Sequence, residues 1–182
     1  VFTLRGGAFC EFYEKHPLWT YKVLSRVTLI NTPSKFIQEF LVAKGFQVEH
    51  VPNFIDLSMF PYARNIIKSH SLLWVRAFHD IYHPELAIET VAQLRNKYPD
   101  ISLTMVGPDQ GTRYKCIQLI ADLGLEDNIQ LTCPVPNTLL KEYYQNHAVY
   151  LNTTRYESFG VALVEAASCG IPCVSTSAGE IP

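Results

Sequence analysis

The sequence predicts an α/β fold built on a doubly wound parallel sheet. Three observations lead there. From Ser71 onward, short apolar runs of strand length alternate with stretches whose apolar residues recur at helical spacing. The runs close on turns rich in Gly and Pro, as at Gly107-Pro108 and Gly170-Ile171-Pro172. The 182 residues are 48% hydrophobic and 18% charged, enough apolar surface for the core of one domain, or of one plus part of another. Strand–helix–strand units of this length are right-handed crossovers, and they lay their strands parallel.

Each element has its own signal. Gly6-Gly7 marks a turn before a helix over about Glu11–Arg26. Thr28-Leu29-Ile30 reads as strand, with Thr32 placed to cap and Pro33 to open a helix that stops at Gly45. Val48–Val51 is a further strand, ending at Pro52-Asn53. Asp56–His70 carries no period and includes Pro61, Asn65 and Lys68, so it reads as a connector. Leu72–Val75 then begins the regular part and is expected near the middle of its sheet. Pro84 opens a helix whose Ala87, Ile88, Val91, Ala92 and Leu94 share a face. Ile101–Val106 is strand, and Ile117, Ile120, Ala121 and Leu123 give the next helix its apolar face, with Gly124 as stop. Ile129–Thr132 is strand, Leu139–Gln145 helix, Ala148–Asn152 strand, Ser158–Ser168 helix and Cys173–Ser175 strand. Phe12-Tyr13 and Tyr143-Tyr144 read as core-facing helix aromatics. The expected organisation is residues 1–56 as the end of one α/β domain, 57–70 as connector and 71–182 as a second domain. Both ends read as cut: no Met opens the chain, and Pro182 falls where a helix should cover the last strand.

Composition removes several functions. Fifteen Lys and Arg against seventeen Asp and Glu leave a net charge of −2, with no basic excess for a nucleic-acid backbone. The best apolar run, Val161–Val174, is interrupted by Glu165, Gly170 and Pro172, too early to span a bilayer, and Val1–Arg5 has no signal-peptide pattern. Cys10, Cys116, Cys133, Cys169 and Cys173 lack zinc-site spacing and read as small buried thiols of a reducing, cytoplasmic protein. His79 and His83 are four apart, but Pro84 follows directly and puts them in a loop, so no metal site is expected.

The richest stretch for chemistry is Tyr156 to Ala166, a strand-to-helix turn where doubly wound sheets bind ligands. Small Ser158 and Gly160 let backbone amides at the helix start face a phosphate. Glu157 and Glu165 flank that start, eight residues apart. On one continuous helix this is about 12 Å, longer than the about 5–9.5 Å of a carboxylate pair working on one glycosidic bond. It suits two hydroxyl-bearing groups joined by a diphosphate, because carboxylates accept strongly from diols.

Glu157-Ser158-Phe159-Gly160, Glu165-Ala166, Gly170-Ile171-Pro172-Cys173-Val174-Ser175 and Ala178-Gly179-Glu180 together resemble the donor signature of family 4 glycosyltransferases of GT-B fold. Asn31 to Phe36 resembles the last strand-to-helix turn of that family's acceptor domain, and Val51 to Asp56 its interdomain hinge. Leu73 to His79 and Met105-Val106-Gly107 resemble the first two strands of its donor domain. The resemblance implies a Rossmann-like GT-B fold, here truncated at both ends, and a retaining hexosyltransferase using a nucleotide-sugar co-substrate (UDP-, GDP- or ADP-linked), without cofactor or metal. Glu157 is then the catalytic carboxylate at the donor sugar. Arg76, Ser158, Phe159, Gly160, Val161 and Glu165 are donor-binding, Glu165 at the ribose. Gly6-Gly7 is a candidate acceptor-side loop. The acceptor is an unspecified sugar or lipid, with peripheral membrane contact open to the rest of the protein. One departure stands out. The family's Arg and Lys after the first donor-domain strand fall at Ala77 and Tyr82, with Arg76 one residue away as the candidate cation. The alternatives are a nucleotide-sugar-binding module without transfer and a sugar-nucleotide epimerase of the same fold.

Overall fold

The structure, a computed structural model, describes residues 1–63, 69–179 and 181. The chain divides into two compact units: Val1–Phe54 with Tyr156–Gly160 and Ser177–Pro182, and Ile55–Arg155 with Val161–Thr176.

The smaller unit is a three-stranded parallel sheet of β1 (Phe2–Thr3), β2 (Ile30–Thr32) and β3 (Val48–His50), in that order. Its core joins Leu4, Tyr13, Leu24, Ile30, Ile37 and Leu41. The helix expected over Glu11–Arg26 is two, α1 (Phe9–Lys15) and α2 (Pro17–Leu24). Pro17 has no N–H to continue the ladder and so opens a new helix instead. Helix α3 (Lys35–Ala43) begins two residues later than Pro33, and its cap is Ser34, whose Oγ accepts from the Ile37 N–H at 3.2 Å. Thr32 acts one step earlier, as its Oγ1 accepts from the Ser34 N–H. The expected strand Thr28–Ile30 accordingly sits at Ile30–Thr32. Tyr13 is buried as expected, whereas Phe12 is 43% exposed.

The larger unit holds β4 (Ser71–Val75), β5 (Ser102–Val106), β6 (Ile129–Thr132), β7 (Val149–Asn152) and β8 (Cys173–Ser175), all parallel in the order β6-β5-β4-β7-β8. The strand beginning at Ser71 is therefore central. Both faces of β4 are covered, which is why it reads as an unbroken apolar run. Leu72 and Trp74 pack with α4 (Pro84–Leu94) and α5 (Arg113–Asp122) through Ile88, Val91, Cys116 and Ile120. Leu73 packs on the opposite face with α6 (Asn137–Asn146) and α7 (Val161–Ser168) through Leu140, Tyr144, Ala162 and Ala166. Each large apolar side chain buried this way contributes about 1.5–3 kcal/mol.

Several expectations change here. Helix α7 starts at Val161 rather than Ser158, because Gly160 takes φ +80°, outside the helical range. The continuous-helix spacing between Glu157 and Glu165 therefore does not hold. Ile117 of α5 is half exposed instead of core-facing. Within the segment read as a connector, Leu57–Met59 forms a 3-10 turn and Phe60 packs into the core edge-on to Tyr144. Asn65, Lys68 and Glu180 lie outside the described residues. Cys10, Cys116 and Cys169 are buried free thiols, while Cys133 and Cys173 are exposed, contrary to the uniform burial expected.

Candidate functional site

At the carboxyl ends of β4, β5 and β6 the larger unit opens into a cavity of about 360 Å³. Its walls come from Val75–Ala77 and Tyr82, from Val106–Pro108, from Pro134, Val135 and Asn137, and from Leu140, Val161, Ala162 and Glu165. This is the place where parallel sheets hold ligands, since the loops there diverge from a rigid frame. Gly107 is fixed by close approach: a Cβ on it would run into the Arg76 carbonyl.

The cavity brings one cation and one carboxylate to its lining. The Arg76 guanidinium carbon lies 5.5 Å from the Tyr82 ring centroid, a cation–π arrangement that keeps the charge beside the ring. Glu165 is 9% exposed, and its Oε2 accepts from the Tyr144 hydroxyl at 3.1 Å. Burial pushes the Glu165 carboxyl above its usual range, against the opposing pull of the Tyr144 hydrogen bond and the Arg76 charge. The Tyr144 hydroxyl is pushed strongly upward by burial and by its neighbours Tyr150 and Glu165, so it stays protonated and serves as donor. Ala77 and Tyr82, which stand where the resembled family has its basic pair, both line this cavity. His79 caps the 3-10 turn Asp80–Tyr82, its Nδ1 accepting from the Ile81 N–H. Among the described residues no group of three or more His, Cys, Asp or Glu could hold a metal ion.

The loop that carries Tyr82 is tied down from β7. The Trp74 indole N–H donates to Thr153 Oγ1 at 2.9 Å, and that hydroxyl donates to the Tyr82 carbonyl at 2.8 Å. The Arg155 N–H and the Thr154 hydroxyl both donate to the Ile81 carbonyl. On the far wall, the Arg113 guanidinium donates to the Leu131 and Thr132 carbonyls and lies over the Phe78 ring, anchoring the segment that leads to Pro134 and Val135. None of these supports was read from the sequence. They link residues far apart in the chain, and a Thr or Arg in isolation carries no mark of its partner.

The remaining predicted residues sit together in the smaller unit. Glu157 Oε1 accepts from the Ser158 N–H at 3.0 Å and the Phe159 N–H at 3.3 Å, so two of the amides at this turn serve the neighbouring carboxylate. Ser158 Oγ donates to the Arg5 carbonyl at 2.6 Å. The Gly6-Gly7 turn lies against the same loop: a Cβ on Gly7 would come within 2.8 Å of the Glu157 amide nitrogen. A Cβ on Gly179, in the last part of the signature, would run into the Glu157 carbonyl. Two motifs chosen separately in the sequence, the glycine pair and the Glu157 loop, are thus neighbours.

A doubly wound parallel sheet with a mainly apolar cavity at its strand ends, carrying one cation and one carboxylate, defines a Rossmann-like protein. The sequence profile of the family Glycosyl transferases group 1 matches residues 67–182, and the chain belongs to that family. It is 30% identical over 168 residues to D-inositol 3-phosphate glycosyltransferase from Paenarthrobacter aurescens, covering 83% of this chain and 40% of that protein. It is 25% identical over 135 residues to a subunit of phosphatidylinositol N-acetylglucosaminyltransferase from Arabidopsis thaliana, covering 72% and 30% respectively. The chain thus spans well under two thirds of either relative. Among solved structures, sucrose-phosphate synthase from Thermosynechococcus elongatus superposes with a TM-score of 0.82 at 20% identity, over 97% of this chain and 50% of that one. HepE from Anabaena, solved with UDP and glucose, gives 0.80 at 17% identity, over 98% and 52%. No helix among the described residues is long and apolar enough to cross a membrane.

Proposed function

We propose that this chain carries the donor site of a retaining glycosyltransferase of family 4 type, moving a sugar from a nucleotide-sugar to an acceptor hydroxyl. The observation that supports it most is the cavity at the strand ends, where Arg76 and Glu165 meet between the end of β4 and α7. A nucleoside diphosphate has the complementary chemistry. Its diphosphate suits Arg76, and its ribose diol suits the Glu165 carboxylate. As the bond to the leaving diphosphate breaks, the anomeric carbon gains positive charge and the departing oxygen negative charge, which Arg76 is placed to offset. Glu157 takes the sugar hydroxyls in this reading, and its Oε1 accepts from the Ser158 and Phe159 amides. The resemblance gives the Phe159 and Gly160 amides to the sugar and phosphate of the donor.

The test uses the full-length protein. UDP-glucose, UDP-N-acetylglucosamine, GDP-mannose and ADP-glucose are supplied with inositol phosphates and with simple alcohols as acceptors. The relatives' names make inositol-bearing acceptors the first choice, and UDP donors follow from the solved neighbours. Transfer with the donor's anomeric configuration kept, read by proton NMR of the product, is the expected result. An inverted product overturns retention. Binding of a nucleotide without hydrolysis or transfer favours the non-catalytic module, for which Ala77 and Tyr82 in place of a basic pair are the supporting observation.

A further inference from the structure

The polar contact between α6 and α7 deepens the donor-site reading, on which it rests for the identity of the ligand. Tyr144 is 1% exposed, and its ring is held edge-on by Phe60 at 6.0 Å and by Tyr150 at 5.8 Å between centroids. A ring clamped on two sides can place its hydroxyl in one position only, and a phenol has a single hydrogen to give. That hydrogen goes to Glu165 Oε2. We propose that Tyr144 is a positioning residue of the donor site, which fixes the Glu165 carboxylate in one orientation so that its remaining lone pairs meet a ligand's vicinal hydroxyls.

The surroundings of Glu165 fit this role. From the loop after β4 it faces Arg76, from α6 Tyr144, and from its own helix end the Cys169 thiol, with Tyr150 of β7 acting on Tyr144. Ser168 donates to the Glu165 backbone carbonyl and leaves the carboxylate alone. Tyr144 thus donates a hydrogen bond that holds the carboxylate and favours its ionised form. The sequence places Tyr144 beside Tyr143 as one more core aromatic; the structure gives its hydroxyl a second task.

Tyr144→Phe removes the hydroxyl and keeps the ring. In the full-length protein with 13C-labelled glutamate, the Glu165 carboxyl resonance, assigned by its loss in Glu165→Gln, is titrated by NMR. The expected result is a higher midpoint in Tyr144→Phe. Calorimetric binding of UDP, GDP and ADP should weaken by about 3–10-fold for whichever nucleotide the wild type binds. Tyr144→Phe added to Glu165→Gln should cost less than about twofold more, since the two act as one unit. Phe60→Leu, which loosens the same ring without touching the hydroxyl, is the structural control. An unmoved midpoint, an equal loss in both backgrounds, or a midpoint moved as far by Phe60→Leu overturns the proposal. A raised midpoint in a protein that binds no nucleotide supports the hold of Tyr144 on Glu165 and overturns instead the donor reading of the cavity.

Discussion

Gly7 lies against the backbone of Glu157 so closely that a single added carbon would sit 2.8 Å from its amide nitrogen and 3.0 Å from its carbonyl carbon. Main chain cannot yield as a flexible side chain does. Gly7→Ala should therefore displace the Glu157 loop, at a cost of about 1–3 kcal/mol of stability and most of the transfer activity. Gly6→Ala is the contrast, because nothing lies within 4 Å of a Cβ there. Thermal unfolding and donor turnover of the two variants check this; equal behaviour would refute the close approach.

Thr153→Val should be destabilising despite its near-identical shape. The substitution leaves the buried Trp74 N–H without its acceptor and the Tyr82 carbonyl without its donor. A buried group stripped of its partner costs about 1–3 kcal/mol. Urea unfolding measures the loss, and the donor KM should rise with it, since Tyr82 lines the cavity.

With Glu157 at the donor sugar and Glu165 at the ribose, as proposed above, the two glutamates should fail differently. The sugar changes most during transfer, and contacts that strengthen at that stage lower the barrier rather than hold substrate. Glu157→Gln should therefore depress kcat strongly with a modest change in donor KM. The ribose is the same before and after, so Glu165→Gln should mainly raise donor KM, by about 1–3 kcal/mol for a lost charged hydrogen bond. Steady-state kinetics with varied donor separates them. Loss of kcat alone in both would place the roles wrongly along the donor.

Glu165 also makes a prediction about pH. Burial raises its carboxyl above the value it has in the unfolded chain. Below the unfolded value both states are protonated and nothing is lost. As pH rises through the folded value, the buried carboxyl must ionise, and unfolding relieves that cost. The nucleotide-free protein should therefore lose stability as pH rises through this window. Glu165→Gln should raise Tm near pH 8 and match the wild type at acid pH, where Glu165 is neutral too. Nucleotide binding should move the other way, weakening as pH falls and Glu165 gains its proton. A Tm difference independent of pH would contradict the assigned cause.

The alternation of strand and helix beyond Ser71 was legible because strands buried on both faces must be apolar throughout, as Leu72, Leu73 and Trp74 are. The candidate cavity was legible in part. Glu165 stood out as a carboxylate in the helix after β7, and Arg76 through the resemblance, as the cation one residue from the departure at Ala77 and Tyr82. Boundaries were less so. The start of α7 at Val161 turns on the φ of Gly160, and the break between α1 and α2 on one proline whose neighbours continue the apolar period. Long-range pairings were not legible at all. Tyr144 has no feature that separates it from Tyr143 until the fold places Glu165 beside it, and Phe60 looks like a connector residue until α6 packs on it.

The cavity loop after β4 is moored by its own main chain. The Ile81 carbonyl receives the Arg155 amide and the Thr154 hydroxyl, and the Tyr82 carbonyl receives the Thr153 hydroxyl. Carbonyls are the same whatever side chain they carry. Substitution at Ile81 or Tyr82 leaves these moorings in place, so the path of the loop and the identity of its lining are inherited separately. Divergence can rewrite the charge of such a pocket one residue at a time while the walls stay where they are. A tyrosine where the resemblance expects a base is an outcome such a frame permits.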